Sequence, residues 1–577
     1  MRHRFVIAFA MLLSFAALAS DPLTAAGPTK LFTLAIAAVV LALQSAIAGW
    51  RRSSKPQALS VADSAGLGFL GLSSLSLLWG TRAGLIDLAL WTTGLTIVVV
   101  LRRHAFGFRV RVLEATTALT CGASATYAIV ERLLHRESAG GHGNPDWLGL
   151  TLAIGLPVCV QLARNDRRRP LGIALIGVVL VGLYLSHSRT GWVAAAIATA
   201  VVFAAPCAKA ATSTSTTSLL FAGPGLGGHL GAFHEADVGR AFAGRLWIYE
   251  RSVEVVISHP ILGVGLGRFG FGYLEEQGRA LSLLKIPDAA RGFVNATTAH
   301  DDYLQLACES GIPSAICFAV FLARTASALF SRATYGALGA VVAFAICALG
   351  DSPLRLPAPV LLLALAVASS HDAAPRWALA RGPALLRGVR MLRNFVPVFA
   401  VLGGVVAALQ FTSARLRTRA SLSASPAQGK LLSRAAEFDL TGEAELDLGL
   451  YRLAQGAEQA AAAERHLRAS SARLPNVGTF VALGNALYAQ RRDPDAKEAY
   501  ERAIALNPGS LKAHLNLSEV DRRLGRRAEA RKHAEAARLI APYHPKLLDL
   551  FDRLESDAAV SEELERIDVD DDTDRAR

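Results

Sequence analysis

Three side chains in the middle of the chain have the chemistry needed for a transfer reaction. Arg189 follows an apolar stretch, Arg245 lies near the start of a long polar interruption, and His300 lies near its end. Two guanidinium groups can hold a diphosphate, because their planar forks match pairs of phosphate oxygens. Histidine changes charge near neutral pH and can take a proton from a hydroxyl. These are the parts needed to move a glycan from a lipid diphosphate to an alcohol.

Each residue also has a plainer interpretation. An arginine at a membrane boundary usually anchors its helix, and a single loop histidine is usually exposed polar surface. The combination favours the functional interpretation, with Arg189 and Arg245 binding the diphosphate and His300 as the catalytic residue. Diphosphate is already a good leaving group, so we expect neither a metal nor a cofactor.

Other motifs do not support a different chemistry. Residues 265–270 match GxGxxG, but no strand precedes them, so these glycines more simply shape a turn. His234 and Glu235 lack the second histidine of a zinc-protease helix. The six cysteines form no CxxC pair and no zinc spacing.

The composition indicates a polytopic membrane protein. Hydrophobic residues make up 52% of the 577 residues, and charged residues, at 19%, cluster between apolar blocks. The net charge of +13 sits largely in short loops, where Lys and Arg mark the cytoplasmic side. The basic clusters lack interleaved aromatic residues, so we expect no nucleic-acid partner.

Apolar blocks near the length of a membrane span run through residues 1–410, the predicted membrane domain. Residues 1–20 are either a cleaved signal peptide or a first span. With the N-terminus inside, three basic loops all fall in the cytoplasm, which fixes one orientation. The other predicted spans lie near 31–49, 66–80, 84–101, 112–130, 148–163, 170–187, 192–208, 311–329, 335–350, 357–371 and 394–411.

One span that this topology requires has an unfavourable composition. The large loop at 231–310 must lie outside to act on an exported substrate, which requires a span at 211–230. That segment is rich in Ser, Thr and Gly, although hydroxyls can bond to their own helix carbonyls. The resulting bundle has about thirteen spans and leaves the C-terminal region outside.

The C-terminal region, residues 431–550, predicts a tetratricopeptide-like helical domain. Small and apolar residues recur at a 34-residue offset, as from Pro508 to Pro542, which is the tetratricopeptide period. Such stacks bind proteins on a concave face, so we expect a protein partner. Residues 556–577 end in an acidic run that we expect to be disordered.

Five segments resemble successive motifs of the O-antigen ligase and polymerase superfamily. They are SHSRTGW at 186–192, RLWIYE at 245–250, HPILGVGLGRF at 259–269, HDDYLQLACESGIP at 300–313 and DSPLRLP at 351–357. Single motifs are short, but five in this order between membrane spans are a strong signal.

The resemblance implies an all-α polytopic bundle of the C-type glycosyltransferase fold in the bacterial inner membrane. It also implies a metal-independent, inverting transferase that uses an undecaprenyl-diphosphate-linked glycan on the periplasmic side. Arg189 and Arg245 would then bind the diphosphate, and His300 would activate the acceptor hydroxyl. Asp301 departs from the pattern, since Asn is frequent at that position.

The acceptor stays open at this point. A lipid A core would make the protein an O-antigen ligase, another glycan a polymerase, and a protein hydroxyl an O-oligosaccharyltransferase. A polysaccharide transporter, or a membrane scaffold with a protein-binding tail, is the competing class. The repeats mildly favour contacts with proteins, and we expect them to be periplasmic.

Overall fold

The computed structural model describes residues 2–20, 26–49, 60–212, 235–370, 383–474 and 476–556. Across these ranges the regular structure is helical, with no strand. This confirms the predicted all-α membrane bundle with a C-terminal repeat region. The predicted span at 211–230 and the predicted tail at 556–577 lie almost entirely outside the described residues.

The chain divides into two compact units, which we describe separately. The first comprises residues 1–269 and 298–418. Its helices, numbered in chain order, are α1 (Arg2–Leu18), α2 (Ala26–Gly49), α3 (Val61–Ser76), α4 (Gly84–Arg102), α5 (Phe106–Leu133), α6 (Pro145–Ala163), α7 (Arg169–Ser186), α8 (Arg189–Thr212), α9 (Glu235–Ser258), α12 (Asp302–Ser310), α13 (Ile312–Ser331), α14 (Tyr335–Cys347), α15 (Pro357–Ser369) and α16 (Pro383–Ser421).

Seven helices among the described residues are long and apolar enough to cross a membrane. They fall in α2, α4, α6, α7, α8, α13 and α16, and each overlaps a predicted span. The predicted spans at 335–350 and 357–371 form the shorter apolar helices α14 and α15. Those at 66–80 and 112–130 lie mainly in α3 and α5, which are not among the seven.

Helix α6 lies at the centre of this unit and packs against α5, α7, α8 and α14. The side chain of Asn144 caps its N-terminus, and Pro145 occupies the first turn, where a missing N–H costs nothing. Glycines let its neighbours approach closely. A Cβ at Gly155 would collide with the sulfur of Cys121, and one at Gly149 would collide with Ser188.

The second unit comprises residues 270–297 and 419–577. Its C-terminal part stacks three helical hairpins between residues 443 and 540. The predicted loop at 231–310 therefore contributes to both units. The helices are α10 (Phe269–Ser282), α11 (Ile286–Gly292), α17 (Ala427–Glu437), α18 (Glu443–Ala454), α19 (Ala460–Ser471), α20 (Val477–Ala489), α21 (Asp493–Leu506), α22 (Leu511–Arg523) and α23 (Arg527–Ile540).

Small residues close each hairpin, as the repeat pattern predicts. The ring of Tyr500 fills the space that a side chain at Gly484 would need. In the next hairpin Ser518 takes the equivalent place, and its hydroxyl donates to the Ala530 carbonyl at 2.7 Å. Both helices of a pair can therefore approach to the distance that a repeat stack requires.

We expect Gly484→Leu to destabilise the second hairpin, because the added side chain meets the buried Tyr500 ring. Overpacking of this kind costs about 1–3 kcal/mol. Hydrogen exchange of the full-length protein in detergent should show faster exchange in α20 and α21. Ala461→Leu, which places a comparable side chain on the exposed surface of α19, is the control. Equal exchange in the two variants would contradict this packing.

Candidate active site

A turn after α14 gathers the segments that carry the two predicted arginines. Arg245, on α9, donates from Nη1 to the carbonyl of Gly350 at 3.3 Å. Thr190 follows Arg189 at the start of α8, and a Cβ at Gly350 would lie 3.0 Å from Thr190 Oγ1. Arg189 itself is exposed. The start of α8 and the middle of α9 therefore meet at Gly350.

The same turn contacts the predicted histidine. Asp351 Oδ1 lies 3.7 Å from His300 Nδ1, which is within ion-pair distance but too long for a hydrogen bond. The Asp351 side chain is 14% exposed, whereas the His300 side chain is 39% exposed. The structure thus brings the segments carrying all three predicted residues to one place, although more than a hundred residues separate the first from the last.

The backbone of His300 is held in an uncommon conformation. Its φ of 52° is left-handed, which is rare for a residue with a side chain. The Tyr249 hydroxyl donates to the His300 carbonyl at 3.2 Å, and the Ala299 N–H donates to Gln305 Oε1 at 2.6 Å. Burial and the Asp301 carboxylate raise the pKa of Tyr249, so it stays a protonated donor.

Two aspartates after the histidine anchor α12. Asp301 is its N-cap and accepts from the Leu304 N–H at 2.8 Å. Burial raises the pKa of Asp301, and backbone hydrogen bonds oppose that rise. Asp302 is buried, and its Oδ2 accepts from the Leu354 N–H at 2.8 Å. Asn caps a helix as well as Asp does, so the departure from the superfamily pattern at Asp301 preserves this cap.

A second carboxylate, that of Asp146, reaches the same region from the first turn of α6. Its carboxylate is close enough to Asp351, Arg245 and His300 to interact with them electrostatically. The N-terminus of α6, the turn before α8 and the turn after α14 therefore lie at one end of the bundle. The site contains cations, carboxylates and an imidazole at the boundary of apolar helices.

A buried ion cluster lies next to this site. Arg355 Nη2 lies 2.6 Å from Glu309 Oε2 and 3.2 Å from Asp87 Oδ2. The other Glu309 oxygen accepts from the Phe269 N–H at 3.2 Å. Burial disfavours the charge on Arg355, but the two carboxylates outweigh it and raise the pKa of the guanidinium. The cluster joins α4, α12 and the 3₁₀ turn at Pro353–Arg355.

The GxGxxG segment forms a turn that packs against other backbone. Gly265 and Gly267 both have positive φ, and Cβ atoms there would lie within 2.7 Å of the backbone at Trp79 and Gly84. The Gly265 N–H donates to the Glu309 carbonyl at 3.0 Å. These glycines are needed for close backbone approach, in agreement with the predicted turn.

No group of three or more His, Cys, Asp or Glu side chains is arranged to hold a metal ion in the part of the chain that the structure describes. The predicted metal independence stays a prediction.

Two family models match separate parts of the chain. Residues 173–319 match the O-antigen ligase family model. Residues 478–510 match a tetratricopeptide repeat model. Among curated proteins, none matches the chain significantly. The predicted resemblance to the O-antigen ligase and polymerase superfamily, with C-terminal repeats, is confirmed.

The O-antigen ligase match runs from α7 into α13 and contains Arg189, Arg245 and His300. It supports a membrane protein that ligates or polymerises glycans. Asp146 and Asp351 lie outside the match, and neither was predicted from the sequence as a site residue. Asp351 begins the DSPLRLP motif, so the sequence did contain a signal for it. For Asp146 the sequence offered only its position at the start of a helix.

We expect Arg355→Met to destabilise the membrane unit of this O-antigen ligase-like protein. The substitution leaves the buried carboxylates of Asp87 and Glu309 without their cation, and breaking a buried pair costs about 3–5 kcal/mol. Thermal unfolding in detergent would measure the loss. Arg332→Met, which removes an exposed arginine, is the matched control.

The defect of Arg355→Met should shrink as the pH falls. Burial raises the pKa of Glu309 above its ordinary value, and the loss of Arg355 removes the charge that opposes this rise. The folded state then binds more protons than the unfolded state, so stability falls as the pH rises above the ordinary pKa of the carboxyl. A defect of constant size between pH 5 and pH 8 would contradict the ion cluster.

Proposed function

We propose that the protein transfers a glycan from an undecaprenyl-diphosphate carrier to an acceptor hydroxyl on the periplasmic face of the bacterial inner membrane, as an O-antigen ligase does. The observation that carries this proposal is the meeting of the Arg189, Arg245 and His300 segments at Gly350 and Asp351. A lipid carrier in the bilayer can present its headgroup at such a helix boundary.

Arg189 and Arg245 bind the diphosphate oxygens and stabilise the charge that develops on the leaving group. The acceptor hydroxyl oxygen attacks the anomeric carbon as the bond from that carbon to the diphosphate oxygen breaks. His300 takes the hydroxyl proton, and undecaprenyl diphosphate leaves with the bonding electron pair. A single attack from the opposite face inverts the anomeric configuration, and no metal takes part.

Asp351 orients the imidazole in this mechanism. Its carboxylate lies on the Nδ1 side of His300, which favours a proton on Nδ1 and leaves Nε2 as the acceptor of the hydroxyl proton. Asp146 instead interacts with Arg245 and balances its charge before the donor binds. This carboxylate discourages free anions from occupying the site, whereas the diphosphate of a lipid carrier also gains from its anchored chain.

We expect His300→Ala to lower glycan transfer by about 10²–10⁴-fold in a reconstituted assay with a lipid diphosphate donor, as for loss of a general base. Arg245→Ala should raise the KM for the donor and lower kcat, because it removes a diphosphate ligand and its transition-state stabilisation. Arg245→Lys should recover part of the activity, since it restores the charge but not the fork.

His259→Ala and Arg332→Ala are matched controls, because both remove exposed side chains of the same types outside the site. We expect both to retain activity. Full activity in His300→Ala and Arg245→Ala would instead favour a transporter or a non-catalytic scaffold.

We expect Asp351→Asn to lower kcat at least about tenfold and to leave the donor KM unchanged. The variant keeps the size of the side chain but loses the charge that faces Nδ1, so it disturbs the imidazole and not the diphosphate ligands. Steady-state kinetics over donor concentration would separate the two parameters. A change in KM alone would assign Asp351 to donor binding.

The acceptor is decided in a deletion strain. Loss of all polysaccharide banding on a lipopolysaccharide gel supports the ligase. Single-unit caps on the lipid A core support a polymerase, and altered glycoproteins support a protein O-oligosaccharyltransferase. Unchanged lipopolysaccharide, exopolysaccharide and glycoproteins would contradict the proposal.

A further inference from the structure

Residues 270–297, between the GxGxxG turn and His300, fold into a small helical hairpin. Gln277 is buried in α10, and its Oε1 accepts from the Val294 N–H at 2.8 Å and from the Tyr273 hydroxyl at 3.1 Å. A Cβ at Gly292 would lie 3.2 Å from the buried side chain of Leu281. Residues 270–297 therefore have an internal framework of hydrogen bonds and close packing.

This hairpin belongs to the same compact unit as the repeats, and both of its helices contact them. Helix α10 meets α21, because a Cβ at Gly278 would collide with the carbonyl of Ala505. Helix α11 packs against α23 and against the turn between repeats, where a Cβ at Gly509 would collide with the backbone of Ala290. Both contacts bring backbone against backbone.

A charged contact accompanies these close approaches. Arg502, on α21, lies 2.6 Å from Glu275 on α10. Both side chains are about half exposed, so this ion pair adds orientation and little stability. The two helices also carry buried apolar side chains, since Leu274, Leu281 and Ala289 are each at most 1% exposed.

The contact lies at one edge of a groove between repeat hairpins. A groove of about 730 Å³ opens between the first two repeat hairpins, and Arg502 and Ala505 both line it. Both residues also meet α10. The chain therefore supplies an occupant for one edge of this groove.

We propose that the repeat array binds the loop segment 270–297 of its own chain, and that this contact positions the loop that leads into His300. The consequence for catalysis rests on the proposed function, whereas the docking does not. His300 follows the end of α11 by eight residues. A repeat stack fixed to α11 therefore lies on the same side of the membrane as His300 and restrains the start of its segment.

Gly278→Leu tests the docking directly, because the new side chain must displace the Ala505 backbone. In full-length protein in detergent, we expect hydrogen exchange in α10 and α11 to accelerate about tenfold or more. Exchange in the cores of α20 and α22 should stay unchanged. Ser282→Leu, an exposed position on the same helix, is the matched control and should show neither effect.

The charge pair gives a second test that does not depend on a bulky side chain. Glu275→Arg and Arg502→Glu should each accelerate exchange in α10, and the double variant should restore it, because the pair re-forms with reversed charges. Additive effects in the double variant, or unchanged exchange in Gly278→Leu, would overturn the docking.

The proposal also requires the repeats and the loop to lie on the same side of the membrane, and this can be tested without these variants. Alkaline phosphatase fused after residue 556 and a cysteine placed at exposed Ser282 for an impermeant maleimide must report the same side. Opposite sides would overturn the proposal. We also expect Gly278→Leu to lower glycan transfer several-fold. Accelerated exchange in Gly278→Leu with unchanged transfer would overturn the positioning of the His300 loop and leave the docking. Inactive wild-type protein would contradict the transferase and not the docking.

Discussion

The pairing of Arg355 with two buried carboxylates is the constraint on which the site geometry depends. The carboxylates of Asp87 and Glu309, removed from water, must be paired with a cation, and they come from α4 and α12, which are distant in sequence. The segment that contains Arg355 also carries Asp351, and the N–H of Leu354 in this segment donates to Asp302. The ion cluster thus fixes the turn after α14 relative to α12, and His300 precedes α12 directly. Charge burial in a membrane bundle is expensive, so such a cluster is expected at a functional position.

Close helix approach is the second constraint, and glycine provides it. Gly149 admits Ser188 against α6, and Gly191 admits the start of α8 against the same helix. These approaches set Arg189 and Asp146 at one boundary of the bundle. In lipid, packing and hydrogen bonds have to stabilise helix pairs, because apolar side chains gain little from leaving an apolar solvent. Small residues at the site are therefore part of what positions the charges.

Much of this architecture is accessible from sequence, for identifiable reasons. Apolar length predicts the long helices because the bilayer thickness sets it, and the 34-residue period predicts the repeats because small residues must recur where helices touch. The proximity of Asp146 and Asp351 to His300 could not be predicted in this way, because it depends on which helix ends meet. The contact between residues 270–297 and the repeats was equally hidden. It is made largely by glycine and backbone, as at Gly278 and Gly509, and such surfaces leave no charge or hydropathy pattern.

The position of His300 is fixed mainly through its backbone. Its left-handed backbone is held by Tyr249 at its own carbonyl, by Gln305 at the preceding N–H and by the Asp301 cap that follows. Its Nδ1 has no hydrogen-bond partner among the described residues and faces a carboxylate at 3.7 Å. An imidazole fixed through its backbone needs no strong side-chain hydrogen bond to hold its position, and Nδ1, not Nε2, is the ring nitrogen that faces the carboxylate.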